Sequence, residues 1–324
     1  MSLGGGTFVT QNKVLPGSYI NFISAARADA TLSDRGIVAM PVELSWGAGG
    51  VMTEMTAEEF LTDSLSILGA AYDSAEAKPF REIFCRAKKV YFYRLNEGEK
   101  AKSDMGTAKY GGVGGNKISV KVEEAESLYK VTTIYDGTVM EEQTVSSAEA
   151  LEDNDWVIFD GEGSLSEGTV TFSGGTDKSE VSTTEYQAFL DAAETVTFHT
   201  LICPTDKEEI KKLFVQFTKM MRNQYGVKFQ TVVYQYSADD EGIINVCSEA
   251  EGDVPYGFVY WVGGASGGCN VNQSVTNAAY DGEFTLKKAL KQSELEDAVK
   301  EGKFVFHGVG QELRVLTDIN SFGY

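Results

Sequence analysis

Between about residue 101 and residue 181 the chain stops resembling the rest of itself, and this break limits the available folds more than any other feature. On either side, some segments repeat apolar residues at helical spacing and others crowd β-branched and aromatic residues into short runs. Inside the stretch only short alternating segments remain: "ISVKVE", "YKVTTIYDGTVMEEQTV", "DWVIFDG" and "GTVTFSGG". Alternation with period two marks half-buried strands, and "YDG" between two such runs predicts a hairpin. The stretch reads as a small all-β domain, acidic and glycine-rich as a surface-exposed module would be. It is inserted into a domain in which helices and strands alternate.

The flanks carry that second pattern. "GIVAMPVEL" predicts a buried strand and "WGAGG" a turn. "TAEEFLTDSLSILG" (56–69) is amphipathic, with Phe60, Leu61, Leu65 and Leu68 on one face and Thr56 and Glu59 spaced as a capping box. A short helix (77–87) and the strand "KKVYFYRLN" (88–96) follow. The pattern resumes at about 183 with the helix "TTEYQAFLDAAE" and the strand "TVTFHTLICP". A long helix over 205–226 is next, capped by Thr205 or Asp206 and ended by Gly226. "VKFQTVVYQY" is nearly continuous in apolar residues, as a strand buried on both faces is, and "GIINVCS" is a further strand. "FVYWVGGASGGCNV" predicts a helix packed closely through Gly263, Gly264 and Ala265. A helix over 292–303 and the hairpin "FVFHGVGQELRVLTDIN" complete the series. The expected fold class is an α/β (α+β) core domain with an inserted small all-β domain and an extended N-terminal arm. Its divisions are arm 1–30, core 31–100, insert 101–181 and core 182–324.

Chemistry is sparse. Of 324 residues, 48 are Asp or Glu and 28 are Lys or Arg, a net charge of −20. Such a surface repels phosphates and anionic membranes, so nucleic acid and membrane are not expected partners. No apolar run approaches the roughly 18 residues of a membrane span. The cysteines at 85, 203, 247 and 269 lack metal-ligand spacing and are expected to be reduced, mostly buried thiols suited to a reducing cytoplasm. "GGVGGNK" (111–117) lacks the Gly-Lys-Ser/Thr of a phosphate loop, and alternation rather than a helix follows it. "GGASGG" lacks dinucleotide-binding spacing, and "DNDWVIFDGEG" has an apolar centre where a Ca²⁺ loop needs oxygens. The two histidines, His199 and His307, lie in apolar strands. His199 and Cys203 share a strand face, so a nucleophilic pair is conceivable. A core histidine beside an inert buried thiol is the expected arrangement. No catalytic residue, metal or cofactor is expected.

Near the N-terminus, "NKVLPGSYINF" combines the turn Pro16–Gly17 with Tyr19, Ile20 and Phe22, and the residues after it are small and polar. On its own it reads equally as a first edge strand or as a segment exchanged between subunits. "NKVLPGSYINF" with "DRGIVAMPVELSWG" resembles the start of contractile phage tail sheath proteins of the Firmicutes prophage and R-type bacteriocin kind. "LFVQFTKMMRNQYGVKFQTVVYQYSADDEGIINV" (213–246) is similar to that family's helix-strand-strand core. "VYWVGGASGGCNVNQSVTNAAYDGEF" (259–284) resembles its Y-W-V-x-G-A-x-x-G segment with the following Y-D-G-E. "GKFVFHGVGQELRVLTDINS" (302–321) resembles its late hairpin with D-I-N. Only "SFGY" remains where the family continues into a C-terminal region, so that region is expected to be missing.

The resemblance implies a structural subunit that polymerises around a tail tube and contracts to drive it through a target envelope, with no cofactor. Its partners would be other sheath subunits in a helical stack of rings, the tail tube protein and the baseplate. It would assemble in the host cytoplasm and end in a virion or bacteriocin tail, with the insert outermost. Residues Pro16, Gly17, Tyr19, Ile20 and Phe22 would form an inter-subunit arm that adds a strand to a neighbour. The alternatives are an α/β enzyme using the Cys/His pair and a β-rich surface-binding module.

Overall fold

The computed structural model describes residues 35–125 and 127–322, so the expected arm residues Pro16, Gly17, Tyr19, Ile20 and Phe22 lie outside the described residues. The core begins with β1 (Ile37–Val42), β2 (Met52–Thr56), α1 (Ala57–Leu68), α2 (Lys78–Phe84) and β3 (Lys89–Arg94). Then come the strands β4 (Lys100–Ser103), β5 (Gly106–Gly111), β6 (Ile118–Ala125), β7 (Leu128–Tyr135), β8 (Thr138–Val145), β9 (Val157–Phe159) and β10 (Gly168–Thr171). Alternation returns with α3 (Thr183–Ala193), β11 (Thr200–Ile202), α4 (Glu208–Asn223), β12 (Gln230–Tyr234), β13 (Ile243–Val246) and α5 (Phe258–Gly268). The last elements are α6 (Gln292–Lys300), β14 (Lys303–Phe304), β15 (Phe306–Val309) and β16 (Glu312–Val315).

A seven-stranded sheet in the order β14-β13-β12-β11-β1-β3-β2 carries the core, parallel throughout except for β2. Strand β1 lies between β3 and β11, so the chain winds outward from it in both directions, with helices on both faces. Alternate residues of each strand feed different cores. Val38, Met40 and Ile244 pack with the Phe80 and Trp261 side, whereas Ala39, Leu201 and Ile243 pack with Phe189 and Phe214. This double burial explains why β12 reads as a nearly unbroken apolar run.

Helix α5 fits because it has almost no side chains where it is squeezed. A Cβ at Gly263 would lie 2.4 Å from Ile202 of β11, and one at Gly264 would lie 2.3 Å from the Ile83 carbonyl of α2. The expected glycine packing is present, directed to the sheet at one position and to a helix backbone at the next.

Local signals hold in some places and fail in others. The Thr56–Glu59 capping box forms, with the Glu59 N–H donating to Thr56 Oγ1 at 3.2 Å and the Thr56 N–H to Glu59 Oε2 at 2.8 Å. The long helix starts later than its sequence suggests. Lys207 occupies the N-cap without a side-chain cap, and Thr205 Oγ1 instead accepts from the Lys207 N–H at 3.1 Å. The turn "WGAGG" leads into β2, an antiparallel edge strand that sequence reading passes over because it runs directly into the cap of α1.

The β-rich stretch forms two antiparallel sheets, β4-β5-β9 and β10-β6-β7-β8, closed on one apolar core of Val120, Val122, Val131, Tyr135, Val157 and Phe172. The predicted hairpin joins β7 to β8, with Asp136 and Gly137 both at positive φ. Strands β15 and β16 form the expected late hairpin.

The parallel sheet has two distinct ends. The chain departs for the β-rich stretch from the carboxyl end of β3 at Arg94 and returns beside it, the Lys178 N–H donating to the Asn96 carbonyl at 3.0 Å. Arg35 precedes the amino end of β1, and the Ser321 N–H donates to the carbonyl of Ile243, the first residue of β13, at 2.8 Å.

Candidate functional site

His199 and Cys203 flank β11, His199 Nδ1 accepting from the Ile37 N–H at 3.2 Å. Burial and the nearby Arg35 charge hold its imidazole below the ordinary histidine range. Cys203 is fully buried, and burial holds its thiol well above the ordinary range, opposite to what a nucleophile requires. The expectation of mostly buried thiols holds only for Cys203. Cys85 is exposed, and Cys247 and Cys269 are half-buried. In a doubly wound sheet, ligands bind outside the carboxyl ends of the strands where the winding reverses. At the β1–β11 reversal, Tyr186 and Tyr260 are buried with Thr205, and Tyr256 is half-buried beside them.

The glycine-rich loop 111–117 serves a junction. Residues Val113–Lys117 form a short 3-10 turn, and the Gly114 N–H donates to the Ser45 carbonyl at 2.9 Å. The Val113 N–H donates to Asp177 Oδ1 at 3.1 Å, so the chain's own carboxylate takes the amide that a phosphate loop would offer to a ligand. Arg94 adjoins it with its side chain fully enclosed. Its guanidinium donates to the Gly47 carbonyl at 2.7 Å, the Gly111 carbonyl at 2.6 Å and Asp177 Oδ1 at 3.2 Å. Burial lowers its pKa, and the Asp177 charge opposes that. Glu97 bridges the same seam, accepting from the Gly49 N–H at 3.1 Å and the Gly111 N–H at 3.0 Å. Trp46 crosses the seam from the core and is fully buried in the β-rich core. It stacks on Trp156 at 5.0 Å and meets Tyr110 edge-on at 5.3 Å. Sequence reading missed Trp46 and Arg94. The available signals were a tryptophan in a turn and an arginine closing an aromatic strand.

The Y-D-G-E segment grips α2. The Tyr280 hydroxyl donates to Glu82 Oε2 at 2.7 Å, and Glu82 is completely buried. Asp281 accepts from the Trp261 indole N–H at 2.7 Å and pairs with Arg86 at 2.9 Å. Gly282 leaves room for Glu82, whose Oε2 would lie 2.3 Å from a Cβ there. Glu283 receives two hydrogen bonds from Arg81, at 2.5 and 2.9 Å. Burial pushes Glu82 above the usual carboxylate range, whereas the Arg81 bond holds Glu283 below it. The D-I-N segment pins the same loop from its other side, Asp318 Oδ2 accepting from the Val275 N–H at 3.1 Å. These groups fasten segments to one another. The Y-D-G-E and D-I-N motifs shared with the resembled family hold the subunit together internally.

Comparison with known proteins agrees along the chain. Residues 35–95 match the tail sheath protein Gp18 domain III N-terminal region, residues 96–177 the phage tail sheath protein beta-sandwich domain, and residues 179–321 the phage tail sheath protein central domain. The phage-like element PBSX protein XkdK of Bacillus subtilis (strain 168) is 34% identical, over 98% of this chain and 75% of that protein. The crystal structure of a sheath tail protein from Desulfitobacterium hafniense superposes with a TM-score of 0.82 at 34% identity, over 94% of this chain and 75% of that one. One from Listeria innocua gives 0.80 at 35%, over 90% and 70%. The chain belongs to the phage tail sheath protein family and is a structural subunit of a contractile tail sheath.

Proposed function

We propose that copies of this chain stack in rings around a tail tube, anchored at a baseplate, and that their rearrangement drives the tube through a target envelope. The observation that carries this reading is the two-ended sheet. The β-rich stretch leaves from the carboxyl end of the strands, and both described ends of the chain meet the amino end. Copies joined through the amino end would carry the insert away from the joint, outward. Contacts of this kind are heterologous, and repeating them builds an open helix. The divisions 1–30, 31–100, 101–181 and 182–324 serve this scheme as arm, core, outer module and core. The arm, with Pro16, Gly17, Tyr19, Ile20 and Phe22, pairs with a neighbour's sheet. The subunit is not an enzyme, and the work of contraction resides in the arrangement of subunits. A thiol held in its inert form and a tyrosine-filled reversal crevice support that reading. Assembly takes place in the host cytoplasm, and the product is the tail of a virion or bacteriocin particle.

Deleting residues 1–23 tests the arm. The isolated subunit should keep its melting temperature, because the few apolar side chains removed, each worth roughly 1.5–3 kcal/mol when buried, are buried only on assembly. Negative-stain images of tails built with the deleted chain should lack an ordered sheath. A large fall in melting temperature would instead make the segment an edge strand of its own domain.

A further inference from the structure

We propose that His199 is a proton-operated latch: protonation of its imidazole releases the Ile37 N–H and opens the amino end of the seam between β1 and β11. That seam joins the two halves of the sheet, β14-β13-β12-β11 and β1-β3-β2. It is also short. Strand β1 pairs with β3 at six positions but with β11 at two, Val38↔Thr200 and Ala39↔Leu201. The next rung toward the amino end is completed by a side chain. The His199 N–H donates to the Ile37 carbonyl at 2.9 Å, and the Ile37 N–H donates in return to His199 Nδ1 at 3.2 Å. An imidazole nitrogen thus stands where a backbone carbonyl would. A ring nitrogen that accepts carries no proton, so this bond requires the neutral ring with its proton on Nε2. An imidazolium carries N–H groups at both nitrogens. Two donors would then face each other, and the Ile37 amide would lose its acceptor.

The surroundings keep this latch closed near neutrality. His199 and Ile37 are half-buried, so a proton reaches the ring without global unfolding. Phe198 and Thr200 adjoin the ring along its own strand. Ile37 faces it from β1, and the Gln230 N–H of β12 donates to the His199 carbonyl at 3.1 Å. None of these side chains titrates. Burial and the Arg35 charge hold the imidazole below the ordinary histidine range, and no carboxylate among the described residues offsets them. The corner is sparsely fastened in other respects. Arg35 Nη2 donates to the Ser266 carbonyl at 3.3 Å, whereas the buried Arg35 Nε, Thr200 Oγ1 and Ser266 Oγ have no hydrogen-bond partner among the described residues. On its other side β1 is secured, the Gly36 carbonyl accepting from the Lys88 and Lys89 N–H groups at 2.8 and 3.0 Å. Opening is therefore directed to the β11 side, between the halves of the sheet and not within one.

The test is amide hydrogen exchange on the full chain, read by NMR as protection factors across the titration range of histidine. Protection of the Ile37 amide should be level above the ordinary histidine pKa. Below it, protection should fall about tenfold per pH unit until the folded value is passed, since the opened corner binds a proton that the closed corner refuses. Amides within the β12–β13 ladder should hold their protection over the same range. His199→Asn puts an amide oxygen near the place of Nδ1 and takes up no proton, so Ile37 should stay protected and lose its pH dependence. Arg35→Met removes the like charge and raises the folded value, so the total loss should shrink. Imidazole spectra of the native chain at neutral pH should show the proton on Nε2. Ile37 protection that ignores pH, a proton on Nδ1, or an unchanged pH dependence in the asparagine variant would overturn the inference. So would a parallel loss across β12 and β13, which would make the effect global.

Discussion

Arg94 and Glu82 are both charged, both buried, and differ in how completely they are answered. Arg94 has four oxygen acceptors at 2.6–3.3 Å, drawn from both sides of the junction. Arg94→Met should therefore cost about 3–5 kcal/mol in denaturant unfolding, because the Gly47 and Gly111 carbonyls lose their arginine donor and the Asp177 and Asn96 side chains each lose one of theirs. Lysine there should recover only part, since it lacks the fork that spans the four acceptors. Glu82 behaves differently with pH. Its folded pKa is raised, so the folded state holds that proton more tightly than the unfolded chain does. Its contribution is therefore most favourable in acid and declines as pH rises from the ordinary carboxylate range through the raised value. Glu283, with a lowered pKa, contributes above the ordinary range and loses that contribution as pH falls through its folded value. The grip on α2 should be firmest in mild acid, between the two. Melting temperatures measured across pH should fall on the neutral side in the native chain, and Glu82→Gln should flatten that limb. A limb of unchanged slope would remove the assignment. Neither residue announces itself in the sequence, since burial of a charge depends on partners far along the chain.

At the level of elements, α5 shows what periodicity conveys and what it omits. Its helix and its close packing follow from "VGGASGG", but the partners at each glycine, β11 and the backbone of α2, appear only once the chain is folded. Gly264→Ala would force a Cβ against the Ile83 carbonyl at 2.3 Å and should destabilise by about 1–3 kcal/mol or more. Gly308→Ala, with nothing within 4 Å, is the control and should be nearly silent in the same calorimetric measurement. Strand β2 was illegible because five residues between a turn and a cap leave no room for a period to repeat. Alternation made the β-rich stretch legible, yet Trp46, outside that stretch, fills part of its core.

At the level of the whole molecule, that tryptophan changes how the insert should be tested. Joining Lys100 to Ser182 removes the rings that cover Trp46, leaving a large apolar side chain bare on the core. We expect the simple excision to aggregate. The same excision with Trp46→Ser and Arg94→Ser should unfold cooperatively as a soluble α/β domain. If the second version also fails, 101–181 is not an insert separable from its host. The fold class and the family were readable because two periodicities and four ordered motifs survive in the primary chain. The seam was not, since it is built from a turn residue, a strand's last residue and a return segment 83 positions later in the chain.

The two ends of the sheet carry a mechanical consequence. Strands β1 and β3 are parallel neighbours, paired at six positions from Ile37↔Lys89 to Val42↔Arg94. A load entering before Ile37 and leaving beyond Arg94 would pull these strands in opposite directions along their length. Parallel strands loaded from opposite ends resist in shear, so the whole ladder bears the force together and cannot open like a zip from one pair to the next. A subunit strung this way would be stiff along the line from the start of β1 to the departure of the β-rich stretch, and yielding would fall to the contacts between subunits.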